Sequence, residues 1–191
     1  MSAYSMENFI TDMEGLVAKG DEAILLSTGA SLMERLVEDL NVVPAQFRNP
    51  AANGERPNHG TFVCYTGESG LSITTVVWGP GDGIPPHDHH TWGLIGVASN
   101  AITESRYLRL DGGTDTTLAR LELEHVAVMK AGQVSTLALG TDEIHAMQNT
   151  TTAPTIEVHA YGLDLKGLDR CMFDIDTGRI TRFATKAYDN D

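Results

Sequence analysis

A turn-rich stretch that contains three histidines decides how this chain is expected to fold; residues 78–93 read WGPGDGIPPHDHHTWG. The glycines and prolines before His87 break any helix and lead the chain through a tight turn into a strand. Residues two apart on a strand point to the same side, so His87 and His89 would offer two imidazoles to one cation. His90 would point the other way and is the weaker candidate. The stretch therefore predicts half of a metal site.

A second histidine segment lies downstream, where His145 follows a turn-forming cluster and precedes Asn149 by four residues. Together the two segments resemble the signature motifs of the cupin superfamily, in which the first motif is a glycine (here Gly81), five residues and then His-x-His. The resemblance implies a mainly β fold, a double-stranded β-helix or jelly-roll barrel. Many cupins also have a glutamate ligand shortly after the His-x-His pair, but residues 91–95 contain no carboxylate.

The ligand set implied by this resemblance is three neutral histidines, His87, His89 and His145. Three imidazoles suit zinc, copper, iron or nickel, whereas sites poor in carboxylates disfavour calcium and magnesium. Three protein ligands leave coordination positions open, which is typical of a catalytic rather than a structural site. The usual non-haem iron set of oxygenases has two histidines and one carboxylate. Replacing that carboxylate with histidine leaves the metal more positive, which favours an anionic substrate ligand such as a thiolate.

The run PPHDH followed by TWG, at residues 85–89 and 91–93, resembles the thiol dioxygenases of the cysteine dioxygenase family. It is most similar to the bacterial branch that acts on 3-mercaptopropionate, and the resemblance covers roughly residues 60–176. It implies ferrous iron as the cofactor, a small thiol and O₂ as the substrates, and a sulfinate as the product.

Residues 156–162, IEVHAYG, alternate between two faces of an expected strand. The apolar members form one stripe, whereas Glu157, His159 and Tyr161 face the other way. The resemblance implies a Ser-x-His-x-Tyr relay here, beside the iron, so it assigns catalytic roles to His159 and Tyr161. Glu157 stands where the family has serine. Its carboxylate either raises the pKa of the histidine and holds it as imidazolium, or reshapes the pocket for a different substrate.

The resemblance also implies that Arg170 holds the substrate carboxylate, since arginine presents a planar fork that pairs with both carboxylate oxygens. The cysteine-specific branch has an arginine in a Tyr-x-Arg stretch, but residues 65–67 read YTG. That branch also crosslinks a cysteine to the relay tyrosine, and residues 92–94 contain none. The expected substrate is therefore a thiol carboxylic acid such as 3-mercaptopropionate, bound by Arg170 and Glu157, with no Cys–Tyr crosslink.

Composition excludes several other function classes. The formal charge of −13 argues against nucleic acid and against an anionic membrane surface as partners. Two cysteines among 191 residues give no disulfide framework. The first residues lack the basic and apolar regions of a signal peptide, and no apolar run is long enough to span a membrane. We therefore expect a cytoplasmic enzyme, either a monomer or a small homo-oligomer.

The chain is expected to form one domain over residues 1–191, with helices in residues 1–44 on the outside of a barrel spanning residues 60–176. Ser31 and Glu34 have the spacing of a capping box, and Pro44 is expected to end that helix. Strands are predicted in the following segments: 76–78, 92–97, 104–110, 126–128, 134–139 and 156–161.

Two alternatives to a thiol dioxygenase remain at this stage. A cupin with three histidines could be a hydrolase or isomerase that uses zinc, nickel or manganese. It could also be a non-enzymatic cupin that binds a metal or a small molecule. The remaining histidines, His59, His90 and His125, show no pattern and are interpreted as structural or surface residues.

Overall fold

The computed structural model describes residues 4–52, 54, 56–140 and 143–191. Two helices and two single turns of 3₁₀ helix precede a series of strands. The helices are α1 (Met6–Val17) and α2 (Glu22–Val37), and the 3₁₀ turns are Leu40–Val42 and Ala45–Phe47. The strands are β1 (His59–Thr66), β2 (Ser72–Trp78), β3 (Gly83–His87), β4 (Gly93–Ser99), β5 (Ala101–Arg109), β6 (Leu121–Lys130), β7 (Val134–Leu137), β8 (His145–Gln148), β9 (Thr155–Tyr161), β10 (Arg170–Phe173) and β11 (Ile180–Phe183).

The strands form two antiparallel sheets, ordered β1-β2-β9-β4-β7 and β11-β10-β3-β8-β5-β6. From β2 to β9 the chain alternates between the sheets, except at the β5–β6 hairpin, where both strands belong to the second sheet. This winding is that of a double-stranded β-helix, the jelly-roll barrel of the cupins. The predicted fold class is confirmed.

Both helices begin at a polar cap. The Ser5 hydroxyl accepts a hydrogen bond from the Asn8 backbone N–H at 3.2 Å, and the Asp21 carboxylate accepts one from the Ile24 N–H at 3.0 Å. The capping box predicted at Ser31 is wrong, because Ser31 lies within α2. Its spacing to a glutamate is equally compatible with a helix interior, and the true cap is Asp21. The helix also ends at Val37, before Pro44.

The helices pack on the outer face of the first sheet, as expected. Their buried side chains join the apolar stripe of β9 in one core, whose members include Phe9, Met13, Met33, Leu36, Val158 and Ala160. Helix α2 lies close to the sheet at Gly96 of β4, where a Cβ atom would be 2.7 Å from the Met33 Cγ atom. Because the apolar face of β9 is covered by helices, its polar face is turned into the barrel. No helix in the described ranges is long and apolar enough to cross a membrane.

Candidate metal centre

Three buried histidines converge inside the barrel. His87 ends β3 and pairs across the sheet with His145, which begins β8. His89 joins them, with ring centroids 4.7 Å from His87 and 5.0 Å from His145. One ring nitrogen from each lies within 4.8 Å of the others. His89 was predicted to lie on the same strand as His87, but β3 ends at His87 and His89 lies in the following loop.

Hydrogen bonds on the Nδ1 side fix which nitrogen of each histidine is free. His87 Nδ1 lies 3.0 Å from the Pro85 carbonyl oxygen, and His89 Nδ1 lies 3.4 Å from the Glu143 carbonyl oxygen. His145 Nδ1 lies 2.8 Å from a carboxylate oxygen of Glu104. Carbonyl and carboxylate oxygens only accept, so all three Nδ1 atoms carry the proton and donate. Each Nε2 atom therefore keeps a lone pair for a metal.

A carboxylate network stands behind His145. Glu104 is 3% exposed and also pairs with the Arg106 guanidinium at 3.0 Å, while the Ser135 hydroxyl donates to it at 2.8 Å. Burial raises the pKa of Glu104, but hydrogen bonding to His145 and the charge of Arg106 outweigh it and bring the pKa to about 2. A carboxylate that orients a ligating histidine is a recurrent feature of metal sites. No sequence motif indicated Glu104 as a partner of the metal ligands.

The electrostatics of the cluster keep the ligands neutral. Burial lowers the pKa of His87 and His89 well below the usual value, and the neighbouring histidines lower them further. Burial also lowers the pKa of His145, although the Glu104 carboxylate acts in the opposite direction. Neutral imidazoles bind metals because their lone pairs are free. Three such donors without a carboxylate ligand suit a divalent transition metal, which is the class of ion that this site fits.

The polar face of β9 forms a second buried chain of hydrogen bonds. His159 Nε2 lies 3.0 Å from Glu157 Oε2, and His159 Nδ1 lies 2.9 Å from the Tyr161 hydroxyl oxygen. The Trp78 indole N–H donates to the same Glu157 oxygen at 2.5 Å. Tyr161 stacks on the His89 ring at 5.2 Å, and burial raises the pKa of its hydroxyl. The expected relay residues thus reach the histidine cluster.

Glu157 occupies a different position from the one expected of a substrate-binding residue. It is fully buried behind His159 and Trp78 and is not among the residues that line the cavity. Its contacts orient His159, so it would influence the cavity through that ring. Gly93 lies against Tyr161, where a Cβ atom would be 2.8 Å from Cε1 of the ring. The place next to the relay tyrosine therefore holds no sulfur.

Arg170 lies at the start of β10 and lines the same cavity as the three histidines. It is 4% exposed, its guanidinium lies 4.4 Å from the Phe183 ring centroid, and one of its N–H groups donates to the Thr185 hydroxyl at 2.9 Å. Its Nε atom has no hydrogen-bond partner. Across the described residues no carboxylate forms an ion pair with it, and the charge of Asp88 acts on it without direct contact, so a buried positive charge faces the cavity with no carboxylate touching it.

The cavity has a volume of about 320 Å³ and a wall that the sequence analysis missed. The last residue of β11, Phe183, and the segment that follows it as far as Asp189 line one side of the cavity. This segment is fixed to β1, because the Asp189 carboxylate accepts a hydrogen bond from the Thr61 backbone N–H at 2.7 Å. It lies beyond residues 60–176, to which the family resemblance was limited, and contains no motif that would have indicated it.

The other histidines and the motif asparagine have local roles. His59 is buried between the Asp82 carboxylate at 2.8 Å and the Thr61 hydroxyl at 2.9 Å, although it also lines the cavity. His125 is exposed on β6. The Asn149 side-chain amide donates to the Trp78 carbonyl at 2.8 Å and to the Ala153 carbonyl at 2.9 Å, so this motif residue connects the end of β2 with the turn after β8.

No family model matches the chain. Among solved structures, oxalate oxidase in complex with the substrate analogue glycolate is 20% identical, with a TM-score of 0.46, over 65% of this chain and 60% of that one. An uncharacterized protein with a double-stranded β-helix domain from Klebsiella pneumoniae is 18% identical, with a TM-score of 0.43, over 74% and 93%. A cupin domain of an XRE family transcriptional regulator from Enterobacter cloacae is 15% identical, with a TM-score of 0.39, over 55% and 96%. The chain spans about 60% of the length of the oxalate oxidase.

Proposed function

We propose that this chain is a non-haem ferrous iron thiol dioxygenase that adds both atoms of O₂ to a small thiol bearing a carboxylate, similar to 3-mercaptopropionate. One observation carries the proposal. The histidine cluster, the His159–Tyr161 pair and the unpaired guanidinium of Arg170 all line one cavity. A ferrous ion held by the cluster would supply electron transfer between a thiolate and O₂.

The substrate class follows from charge. A thiol carboxylate brings a thiolate for the metal and a carboxylate for Arg170, whose buried guanidinium has an Nε atom without a hydrogen-bond partner. Thr185 and Phe183 hold the guanidinium from the side and from the face, so its remaining N–H groups are oriented before substrate arrives. A pre-oriented fork loses less conformational entropy when it pairs with a carboxylate.

The reaction balances without an external reductant. Two S–O bonds form, the O–O bond breaks, and the sulfur loses the electrons that O₂ gains, so the thiol becomes a sulfinate. The substrate thiol must lose its proton to bind as thiolate. Tyr161 and His159 are the groups that would hold this proton or orient oxygen beside the cluster, because Tyr161 stacks on His89 and is hydrogen-bonded to His159. A reducing compartment such as the cytoplasm would keep both iron and thiol reduced.

Oxygen uptake by iron-reconstituted protein tests the proposal. The panel should contain 3-mercaptopropionate, cysteine, cysteamine and 2-mercaptoethanol, with mass spectrometry of each product. We expect uptake with the carboxylate thiol and a product heavier by two oxygen atoms. Zinc-loaded protein is the control, because zinc has no redox chemistry. No uptake with any thiol despite bound iron would overturn the proposal and favour a hydrolase, an isomerase or a binding protein.

A further inference from the structure

A second group of metal-ligating side chains lies beside the first but outside the cavity. Asp88, His90 and Cys171 each offer a donor atom within 4.8 Å of the other two, and none of them lines the cavity. Asp88 and Cys171 are each 6% exposed, whereas the His90 side chain is 41% exposed. The cluster is therefore anchored in the protein and open to solvent on one side.

The distance between two of the donor atoms is close to that in a tetrahedral site, and the Cys171 sulfur lies within 4.8 Å of both. Asp88 Oδ2 and His90 Nε2 are 3.1 Å apart. Ligand atoms around a tetrahedral zinc, bound at about 2.0–2.3 Å, lie about 3.3–3.6 Å from one another. Asp88 and His90 would therefore have to separate by only about 0.2–0.5 Å to hold such an ion. The other oxygen, Asp88 Oδ1, accepts a hydrogen bond from the Cys171 backbone N–H at 2.7 Å, which orients the carboxylate.

We propose that Asp88, His90 and Cys171 bind a second, thiophilic divalent cation, with zinc as the ion whose chemistry fits best. A thiolate, an imidazole and a carboxylate are all zinc ligands, and a thiolate disfavours calcium and magnesium. On binding, the Cys171 S–H bond breaks, a sulfur–metal bond forms, and the proton passes to solvent. Solvent would take the fourth position beside the exposed His90.

The position of this site couples it to the candidate metal centre. Asp88 lies between His87 and His89 in the sequence, and Cys171 follows Arg170. The Asp88 N–H already donates to the Cys171 carbonyl at 3.0 Å, so the loop and β10 are in contact without a metal. A cation here would clamp the loop that holds His89 to the strand that begins with Arg170. It would stabilise the native protein by mass action.

Cobalt(II) binding tests the second site separately from any catalytic activity. A cysteine ligand gives a thiolate-to-cobalt charge-transfer band in the near ultraviolet, and a site of three histidines gives none. We expect the band in the wild-type protein and in Cys64→Ser, and its loss in Cys171→Ser. The His90→Ala variant changes an exposed side chain and avoids the risk of misfolding. It should need at least tenfold more cobalt to reach half of the maximal band intensity.

Two results would overturn the second site. One is a wild-type protein that binds cobalt without a thiolate band, which would leave only the three-histidine site. The other is a band that persists in Cys171→Ser and disappears in Cys64→Ser. An unchanged cobalt requirement in His90→Ala would also count against the ligand set. None of these readouts depends on oxygen uptake, so they can fail or succeed independently of the proposed dioxygenase function.

Discussion

Replacing Glu104 with glutamine should weaken metal binding although this residue is not a ligand. Glu104 accepts the Nδ1–H of His145 at 2.8 Å and pairs with Arg106 at 3.0 Å. Glutamine has nearly the same shape, but it lacks the negative charge that polarises His145 and neutralises Arg106. The Nε2 atom of His145 should therefore become a poorer donor.

Two magnitudes follow from this geometry. Loss of a group that orients a ligating histidine costs about 10- to 100-fold in metal affinity. The metal-free protein should also lose stability, since the pKa of Glu104 is about 2 against an ordinary value of 4.5. That difference corresponds to a stabilisation on the order of 3 kcal/mol at neutral pH. The buried Arg106 guanidinium would in addition lose its carboxylate partner.

The assay is competition for iron or cobalt against a chelator of known affinity, combined with urea unfolding of the metal-free protein. Glu122→Gln is the matched control, because it removes the same charge from an exposed position on β6. An affinity unchanged in Glu104→Gln, with the protein folded, would refute the coupling between this carboxylate and the metal. Equal losses of metal affinity in Glu104→Gln and Glu122→Gln would show that the affinity depends only on the net charge of the protein.

Three further substitutions and one change of pH test the structure. Arg170→Ala should raise the KM for carboxylate thiols by about 100-fold and leave the KM for an uncharged thiol nearly unchanged, as measured by oxygen uptake. An equal rise in KM for both kinds of thiol would show that Arg170 does not bind the substrate carboxylate. Glu157→Gln should lower kcat more than it changes KM, because Glu157 is buried behind the cavity wall; a rise in KM alone would indicate direct substrate contact. The contribution of the Glu104 carboxylate to the free energy of unfolding should be complete above pH 4.5 and should disappear as the pH falls to about 2. The urea midpoints of the wild-type protein and Glu104→Gln should therefore converge near pH 2. Gly96→Ala should cost about 1–3 kcal/mol, because the new methyl group meets Met33; an unchanged urea midpoint would contradict this packing.

The fold and the third ligand, His145, were expected from the resemblance to the cupin motifs, whereas the strands and the His-x-His pair depend on local chemistry. Glycine and proline turns, a His-x-His pair and alternating strands can be read from neighbouring residues. The apolar stripe on β9 also agrees with the helices expected on the outside of the barrel, because the residues of this stripe share a core with the helices. The capping box at Ser31 was wrong, because a serine followed three residues later by a glutamate occurs both at a helix N-terminus and within a helix.

The network behind His145 could not be read in this way. Glu104 and His145 are 41 residues apart and meet because β5 pairs with β8, with Arg106 opposite His145. Along β5 alone, Glu104 and Arg106 look like an ordinary solvated face of a strand. The cavity wall after β11 depends in the same way on a long-range contact, between Asp189 and Thr61.

The fate of the oxygen atoms tests the central proposal most directly. Iron-reconstituted protein should be supplied with ¹⁸O₂ and 3-mercaptopropionate, and the product analysed by mass spectrometry. A sulfinate carrying two ¹⁸O atoms, with one O₂ consumed per product, is the expected result. Oxygen uptake that yields disulfide or hydrogen peroxide without labelled sulfinate, or no uptake by protein that contains its iron, would contradict a thiol dioxygenase.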